Sequence, residues 1–225
     1  MRIGGFQKLT LVDFPGKVAA TVFTQGCNFR CGFCHNPELV CPQLFQTPVP
    51  VQEVLDHLDR RRGKLQGVVI TGGEPTLQKG LSDFIVRIKD MGFAVKLDTN
   101  GSHPEILSSL IERRLIDYIA MDVKSSWAKY SRAAGVVCDT QKIQESMDRI
   151  MASGLPYQLR TTLVKKFCSS DDLRDIQSLI RDADHYVLQP FVPSSKMIDP
   201  RFNLQSRYTG TEIETLKTRF EKIIP

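Results

Sequence analysis

The stretch Cys27-Asn-Phe-Arg-Cys31-Gly-Phe-Cys34-His35 places three thiols in one short loop, directly after an apolar run. Thiolates are soft ligands that suit zinc, copper(I) and iron-sulfur clusters. Spacings of three and then two intervening residues let one loop supply three corners of a single metal centre. The sequence therefore predicts a metal ion or an iron-sulfur cluster at this loop.

A fourth ligand is missing from the loop. A structural zinc site is normally closed by a fourth Cys or His, and the candidates here are His35, too close in sequence to bend back, and Cys41. An incomplete shell lets a small molecule bind the metal directly, which favours an iron-sulfur cluster with one open iron. A structural zinc site and incidental thiols are the alternatives that the thiols alone leave open.

Strand and helix patterns alternate along the chain. Buried apolar runs predict strands at residues 18–23, 67–70, 93–97, 116–121, 157–163 and 186–188. Apolar residues at helical spacing predict helices at residues 51–58, 81–88, 106–110, 143–150 and 173–180. About six β-α units of this kind predict an α/β fold with parallel strands and outer helices, either doubly wound or a complete or partial barrel.

Glycines and charged side chains follow the predicted strands. Thr71-Gly72-Gly73-Glu74-Pro75 follows the second strand, Asp98-Thr99 ends the third, Met121-Asp122-Val123-Lys124 ends the fourth, and Arg160 is expected at the end of the fifth. Paired glycines permit a close backbone approach, although such residues also form ordinary turns, caps and surface pairs. Because parallel strands end at one rim, we expect these side chains to converge there.

The cysteine loop resembles the cluster loop of the radical S-adenosylmethionine (SAM) superfamily, with aromatic Phe33 just before the last Cys. The surrounding Phe23-Thr-Gln-Gly-Cys27 and Cys34-His35-Asn36-Pro37 resemble the activating enzymes of glycyl-radical enzymes, as does the opening Leu11-Val-Asp-Phe-Pro-Gly-Lys17. Among these enzymes, the chain is most similar to the activating proteins of anaerobic ribonucleoside-triphosphate reductase. The resemblance covers essentially the whole chain.

This resemblance implies a partial, six-stranded (β/α) barrel and a 4Fe-4S cluster held by Cys27, Cys31 and Cys34, with the fourth iron open to SAM. The cofactor-binding residues expected on this basis are Phe33, His35, Gly72, Gly73, Glu74, Asp98, Thr99, Asp122, Lys124, Arg160 and Gln189. Glu74 would meet the SAM amino group, a cation that needs a buried partner. Asp98 would meet the ribose or a cation near the SAM carboxylate, and Asp122 and Lys124 match the activases' Asp-x-Lys motif.

The same resemblance implies reductive cleavage of SAM to methionine and a 5′-deoxyadenosyl radical. The radical would take a hydrogen atom from a backbone glycine of a large partner, here an anaerobic ribonucleotide reductase, with flavodoxin or ferredoxin as electron donor. One departure concerns Gln189-Pro190-Phe191-Val192, because pyruvate formate-lyase activases have a His where Val192 stands. The departure weakens the formate-lyase interpretation and leaves Gln189 as a substitute contact.

Three alternative functions share parts of this pattern. An activase of another glycyl-radical enzyme would use the same residues on a different partner. A radical SAM enzyme acting on a small molecule, such as a deazapurine-forming synthase, would turn over without a protein partner. A structural zinc or binding module would hold zinc and no cluster.

The composition of the chain indicates its domain number, its solubility and the redox state of its cysteines. The 225 residues, 41% hydrophobic and 24% charged, predict a single soluble domain over residues 1–225. No export leader or membrane span is expected, so the six cysteines are predicted to be reduced thiols in the cytoplasm. Cys41, Cys138 and Cys168 are expected to be packing residues. The net charge of +5, with no basic run longer than Arg60-Arg61-Arg62, does not indicate nucleic-acid binding.

Overall fold

A computed structural model describes residues 1–219, and the chain within it forms two compact units. The first unit consists of Met1–Asn28, Glu38–Thr99 and His103–Ala120. The second consists of Phe29–Pro37, Asn100–Ser102 and the described chain from Met121 onward. The single domain expected from the chain length stays a prediction.

Seven strands form a mostly parallel sheet, in the order in which they occur along the chain. They are β1 (Ile3–Thr10), β2 (Ala19–Thr24), β3 (Gly67–Gly72), β4 (Ala94–Thr99), β5 (Tyr118–Asp122), β6 (Tyr157–Leu163) and β7 (Tyr186–Pro190). The α-helices within residues 1–219 are α1 (Pro37–Val40), α2 (Val51–Arg60), α3 (Leu81–Asp90), α4 (Pro104–Glu112), α5 (Tyr130–Ala134), α6 (Thr140–Met151), α7 (Ser170–Leu179) and α8 (Gly210–Arg219). The α/β class and the alternation of strands and helices predicted from the sequence are confirmed.

The first strand, β1, was not predicted. It pairs antiparallel with β2, whereas β2 runs parallel to β3 in the register Ala19↔Gly67 through Thr24↔Gly72. The β1 strand has two glycines, and most of its residues are partly or fully exposed, so it carries no continuous apolar run. Sequence reasoning recognises strands mainly through such runs, and it therefore found only the six strands that follow.

Helix α2 shows why the helices could be predicted from the spacing of apolar residues. Val54, Leu55 and Leu58 are at most 1% exposed and lie on one face of the helix, while most of its other positions are exposed. The same spacing gives α3 its buried face. None of the helices in residues 1–219 combines the length and apolar character that a membrane span requires.

The opening stretch before β2 anchors the first unit. The Phe14 ring is 2% exposed and packs in a cluster with Ala19 and Val69. Beside it, the Thr21 hydroxyl donates a 2.8 Å hydrogen bond to the Asp13 carboxylate. Asp13 and Phe14 belong to the segment Leu11–Lys17, which resembles the activating enzymes, and their contacts give that segment a structural role in the first unit.

Two glycines of the second unit provide a matched test of backbone packing. Gly135 and Gly154 have similar positive φ angles, +71° and +69°. A β-carbon added at Gly135 would lie 2.1 Å from the Arg30 carbonyl oxygen, whereas one added at Gly154 would meet nothing within 4 Å. The Arg30 backbone N–H also donates a 2.7 Å bond to the Ala134 carbonyl, so α5 ends directly against the cysteine loop.

Gly154→Ala is expected to lower the free energy of unfolding by about 1 kcal/mol, the penalty of a side chain in the left-handed region. Gly135→Ala should lower it by about 2 kcal/mol more, since the backbone of the cysteine loop must also move. Urea denaturation of the metal-free variants measures both. Equal losses would contradict the close approach of Arg30 to α5.

Candidate active site

The glycine pair after β3 permits a close approach of two backbones within the first unit. Gly72 has a φ of +111°, and a β-carbon there would lie 2.4 Å from the Thr24 backbone nitrogen. A β-carbon on Gly73 would lie 2.0 Å from the Gly26 carbonyl oxygen. Backbone N–H groups of Gly73 and Glu74 donate 2.8 Å bonds to Thr24 and Gly26. Only glycine therefore fits between the end of β3 and the segment that leads to the first Cys.

The Glu74 side chain is fully buried in the first unit. Its Oε1 accepts hydrogen bonds from the Thr76 backbone N–H at 3.1 Å, the Thr76 hydroxyl at 2.6 Å and the Thr99 hydroxyl at 2.7 Å. The Thr76 hydroxyl also lies 3.2 Å from Nδ1 of His103. The structure thus brings together Glu74 and Thr99, both predicted site residues, and adds Thr76 and His103, which sequence reasoning missed.

Asp98 pairs with a lysine on its own strand. Lys96 Nζ lies 2.7 Å from the Asp98 carboxylate, and the two side chains are 5% and 14% exposed. Residues two apart on a strand share one face, so this pair was readable from the sequence once β4 had been predicted. Asp98 therefore carries a cation partner within the first unit, and its predicted contact with SAM stays a prediction.

The thiols divide between the two units. Cys27 belongs to the first unit, whereas Cys31 and Cys34 belong to the second, where the Cys34 backbone N–H donates a 2.9 Å bond to the Cys31 carbonyl. The six cysteines, which all lie within residues 1–219, form no disulfide, and Cys31, Cys41 and Cys168 are buried. Within neither unit do the described residues bring three potential metal ligands together. Cys31 and Cys34 therefore lie on one backbone turn of the second unit.

Phe33 and His35 contact the segment that follows β7. Phe33 is 6% exposed, and its ring centroid lies 6.4 Å from that of Phe191 and 5.9 Å from those of Phe167 and Phe202. The His35 ring stacks on Phe191, with its Nε2 2.6 Å from a backbone carbonyl oxygen, that of Val192. These contacts tie the cysteine loop to the C-terminal part of the second unit. The predicted cofactor contacts of Phe33 and His35 stay predictions.

Asp122, Lys124 and Arg160 form one ionic cluster in the second unit. Lys124 Nζ lies 2.8 Å and Arg160 Nε 2.6 Å from the two Asp122 carboxylate oxygens. Burial alone would raise the pKa of Asp122, but the Arg160 and Lys124 cations outweigh it and hold that pKa well below its usual range. Burial likewise opposes a charge on Lys124, and the Asp122 carboxylate, followed by Cys31, raises the pKa of that ammonium above its usual range.

The position predicted for Arg160 was wrong, although its pairing with a carboxylate is present. The sequence placed it at a strand end, whereas it is the fourth of seven residues in β6. Its carboxylate partner, Asp122, is the last residue of β5. Gln189 lies near the end of β7, in register with Thr162 of β6. The predicted bounds of this strand, residues 157–163, are those of β6, and they place Arg160 in the middle of the strand.

Residues 21–176 match the family model of the radical SAM superfamily. A candidate glycyl-radical enzyme activating enzyme of Methanocaldococcus jannaschii is 36% identical over 196 residues, which cover 85% of this chain and 80% of the relative. The chain belongs to the glycyl-radical enzyme activating enzymes of the radical SAM superfamily. The family uses a 4Fe-4S cluster and SAM, as the sequence predicted.

Other relatives within the superfamily carry different names. The pyruvate formate-lyase-activating enzyme of Clostridium pasteurianum is 28% identical over 200 residues, covering 80% of this chain and 76% of the relative. A 7-carboxy-7-deazaguanine synthase of Hyperthermus butylicus is 28% identical over 160 residues, covering 64% of this chain and 67% of the relative.

Solved structures share the fold. TYW1 with a lysine-pyruvate adduct bound has a TM-score of 0.66 at 17% identity, covering 91% of this chain and 73% of that one. Streptococcus suis SuiB bound to S-adenosylmethionine has a TM-score of 0.64 at 15% identity, covering 88% of this chain and 47% of that one. At these identities the likeness confirms the fold class alone.

Asp122→Asn is expected to lower the free energy of unfolding of the metal-free protein at pH 7 by about 2 kcal/mol, because two partly buried cations lose their anion. The folded pKa of Asp122 is depressed. Its contribution is therefore present above the unfolded pKa of about 4 and is lost as the pH falls through the folded value. Urea denaturation between pH 7 and pH 3 measures this trend.

Asp171→Asn is the matched control, since Asp171 pairs with Arg174 on the surface, where its side chain is 81% exposed. This variant should lose less than about 0.5 kcal/mol of the free energy of unfolding at every pH. Similar losses in the two variants would contradict a structural role for the Asp122 cluster.

Proposed function

We propose that the protein is a radical SAM activase that generates a glycyl radical on an anaerobic ribonucleoside-triphosphate reductase. The observation that carries this proposal is the 36% identity, over 80% of its length, to a relative named for glycyl-radical enzyme activation. The reductase is chosen among possible partners because residues 23–27, 34–37 and 11–17 resemble its activating proteins. Six cysteines within residues 1–219, none of them in a disulfide, fit a reducing cytoplasm, with flavodoxin or ferredoxin as electron donor.

Cys27, Cys31 and Cys34 would hold the 4Fe-4S cluster in this proposal. The donor set suits the group, because these thiols are not committed to disulfides and soft thiolates are the usual ligands of such clusters. When bound, the cluster and SAM supply an electron and a 5′-deoxyadenosyl radical that takes a hydrogen atom from the partner's glycine. The protein need supply no acid or base, and its work is binding, orientation and exclusion of water.

Glu74 would neutralise the SAM ammonium, since a buried carboxylate is the partner that a desolvated cation requires. Gly72 and Gly73 allow the backbone before Glu74 to lie against the segment leading to Cys27. The Asp122 cluster would present the Lys124 and Arg160 cations in fixed positions, and it lies in the same unit as Cys31.

The aromatic residues of the second unit would help to exclude water from the radical. Phe33 immediately precedes Cys34 and packs among Phe167, Phe191 and Phe202, all of which are at most 7% exposed. A dry site protects a reactive intermediate from side reactions with solvent. This dense apolar packing around the cysteine turn supports a radical enzyme over a solvent-exposed binding module.

Single replacement of Cys27, Cys31 or Cys34 by Ala is expected to abolish iron binding, because two thiolates do not retain the cluster. Anaerobically reconstituted wild-type protein should bind about four irons. Iron analysis and visible absorption measure both. Cys41→Ala and Cys168→Ala are the controls and should keep full iron content, since neither thiol belongs to the Cys27–Cys34 loop and burial raises the pKa of Cys168 to about 12. Loss of iron in Cys41→Ala would refute a three-thiol site.

The protein substrate is tested by anaerobic incubation with the candidate reductase, SAM and dithionite. Electron paramagnetic resonance should show a glycyl radical on the reductase, which must be absent without SAM and with the Cys31→Ala variant. Cleavage of SAM to 5′-deoxyadenosine should be slow alone and faster with the partner, because the substrate completes the site. A radical on pyruvate formate-lyase instead would identify a different partner.

A small-molecule function is the second candidate, and it is favoured by the match to 7-carboxy-7-deazaguanine synthases. Such an enzyme would cleave SAM rapidly with its metabolite and no polypeptide. If a small metabolite stimulates cleavage and the reductase does not, the activase proposal is wrong.

A further inference from the structure

We propose that Thr76 and His103 are positioning residues that set the orientation of the Glu74 carboxylate toward the ammonium group of SAM. The inference rests on the proposed role of Glu74 as the ammonium partner. It adds two residues that neither the cysteine loop nor the Gly-Gly-Glu motif contains. All three residues belong to the first unit.

The contacts come from three separate elements. Glu74 precedes the 3₁₀ turn Pro75–Leu77, and the Thr76 hydroxyl within that turn lies 2.6 Å from Glu74 Oε1. Thr99, at the end of β4, donates to the same oxygen at 2.7 Å. His103 immediately precedes α4, and its Nδ1 lies 3.2 Å from the Thr76 hydroxyl. Because Glu74 Oε1 accepts hydrogen bonds from both the 3₁₀ turn and β4, a movement of one of these elements alone does not reorient the carboxylate.

The directions of these hydrogen bonds follow from the chemistry of the groups. An ionised carboxylate only accepts, so the single hydroxyl proton of Thr76 points to Glu74 Oε1. The Thr76 oxygen then serves as the acceptor for His103, whose Nδ1 must carry the proton. The relay therefore runs from the His103 N–H through the Thr76 hydroxyl to the carboxylate. A donor on the imidazole strengthens the hydroxyl as a donor in turn.

A simple cap would not need this arrangement. Glu74 already accepts the backbone N–H of Thr76 at 3.1 Å, which is enough to satisfy the start of the 3₁₀ turn. The two hydroxyl bonds are shorter than that bond, and Thr76 and Thr99 are 6% and 4% exposed. They fix a fully buried carboxylate before any ligand arrives, which reduces the ordering required on binding.

The test measures affinity for SAM by anaerobic calorimetry on the cluster-loaded protein. Thr76→Val keeps the shape of the side chain and removes the hydroxyl, and it should weaken SAM binding about tenfold, the usual effect of losing a hydrogen bond to a charged group. Thr76→Ser should restore most of the affinity. His103→Asn keeps a donor near the Nδ1 position and should bind SAM better than His103→Gln, whose amide reaches further out.

A second ligand separates positioning from general damage to the fold. 5′-Methylthioadenosine lacks the amino acid part of SAM, so its affinity should be unchanged in Thr76→Val. Thr215→Val removes an exposed hydroxyl of α8 that donates to the Thr211 carbonyl, and it should leave both affinities unchanged. An equal loss of affinity for both ligands in Thr76→Val would overturn the proposal, because it would reveal a merely structural role.

Glu74→Gln distinguishes failure of this inference from failure of the site. If Glu74→Gln weakens SAM binding and Thr76→Val does not, the relay is wrong and the role of Glu74 stands. If Glu74→Gln also leaves SAM affinity unchanged, Glu74 is not the ammonium partner and both assignments fail. The glycyl radical signal on the reductase tests the proposed function independently of either result.

Discussion

Two backbones meet where β2 and β3 end, and no side chain fits between them. The bonds from the Gly73 and Glu74 N–H groups to the Thr24 and Gly26 carbonyls require a separation that any β-carbon on Gly72 or Gly73 would prevent. The Glu74 backbone is fixed against the segment preceding the first Cys, and the Glu74 side chain is fully buried. Close backbone packing therefore requires glycine at positions 72 and 73, independently of any ligand.

The two units hold their carboxylates by different means. In the first unit, the three donors described on Glu74 Oε1 are a peptide N–H and two hydroxyls, all neutral. In the second unit, Asp122 lies between two cations that depress its pKa. The hydroxyl and peptide donors fix the orientation of the Glu74 carboxylate, whereas Lys124 and Arg160 largely cancel the charge of Asp122. The ammonium-binding role is proposed for Glu74 because its carboxylate is fully buried and directly follows the glycine pair, while Asp122 pairs with Lys124 and Arg160.

The sequence predicted most of the fold because buried strands and amphipathic helices leave periodic apolar patterns. It missed β1, whose glycines and exposed residues leave no such pattern. It also placed Arg160 at a strand end, although the predicted bounds 157–163, which β6 has, put that residue in the middle of the strand. Glu74 was singled out because it lies in a local motif, and its contact with SAM stays a prediction. His103 was not, since it approaches Thr76 across 27 positions, and no local pattern encodes a contact between separate elements.

The contacts of His35 illustrate how a motif residue acquires a structural role. The loop resemblance assigned His35 to the cofactor, which stays a prediction; in the structure its ring stacks on Phe191 and its Nε2 lies 2.6 Å from the carbonyl oxygen of Val192, 157 positions away. The Asp199 backbone N–H likewise donates to the Gly32 carbonyl at 2.9 Å, and a β-carbon on Gly32 would lie 2.5 Å from the Phe202 ring. The cysteine turn is thus shaped by a segment that follows the last strand. The hydrogen-bond partner of His35 is a backbone carbonyl, so the side chain at position 192 does not determine this contact. The same hydrogen bond is compatible with either Val or His at that position.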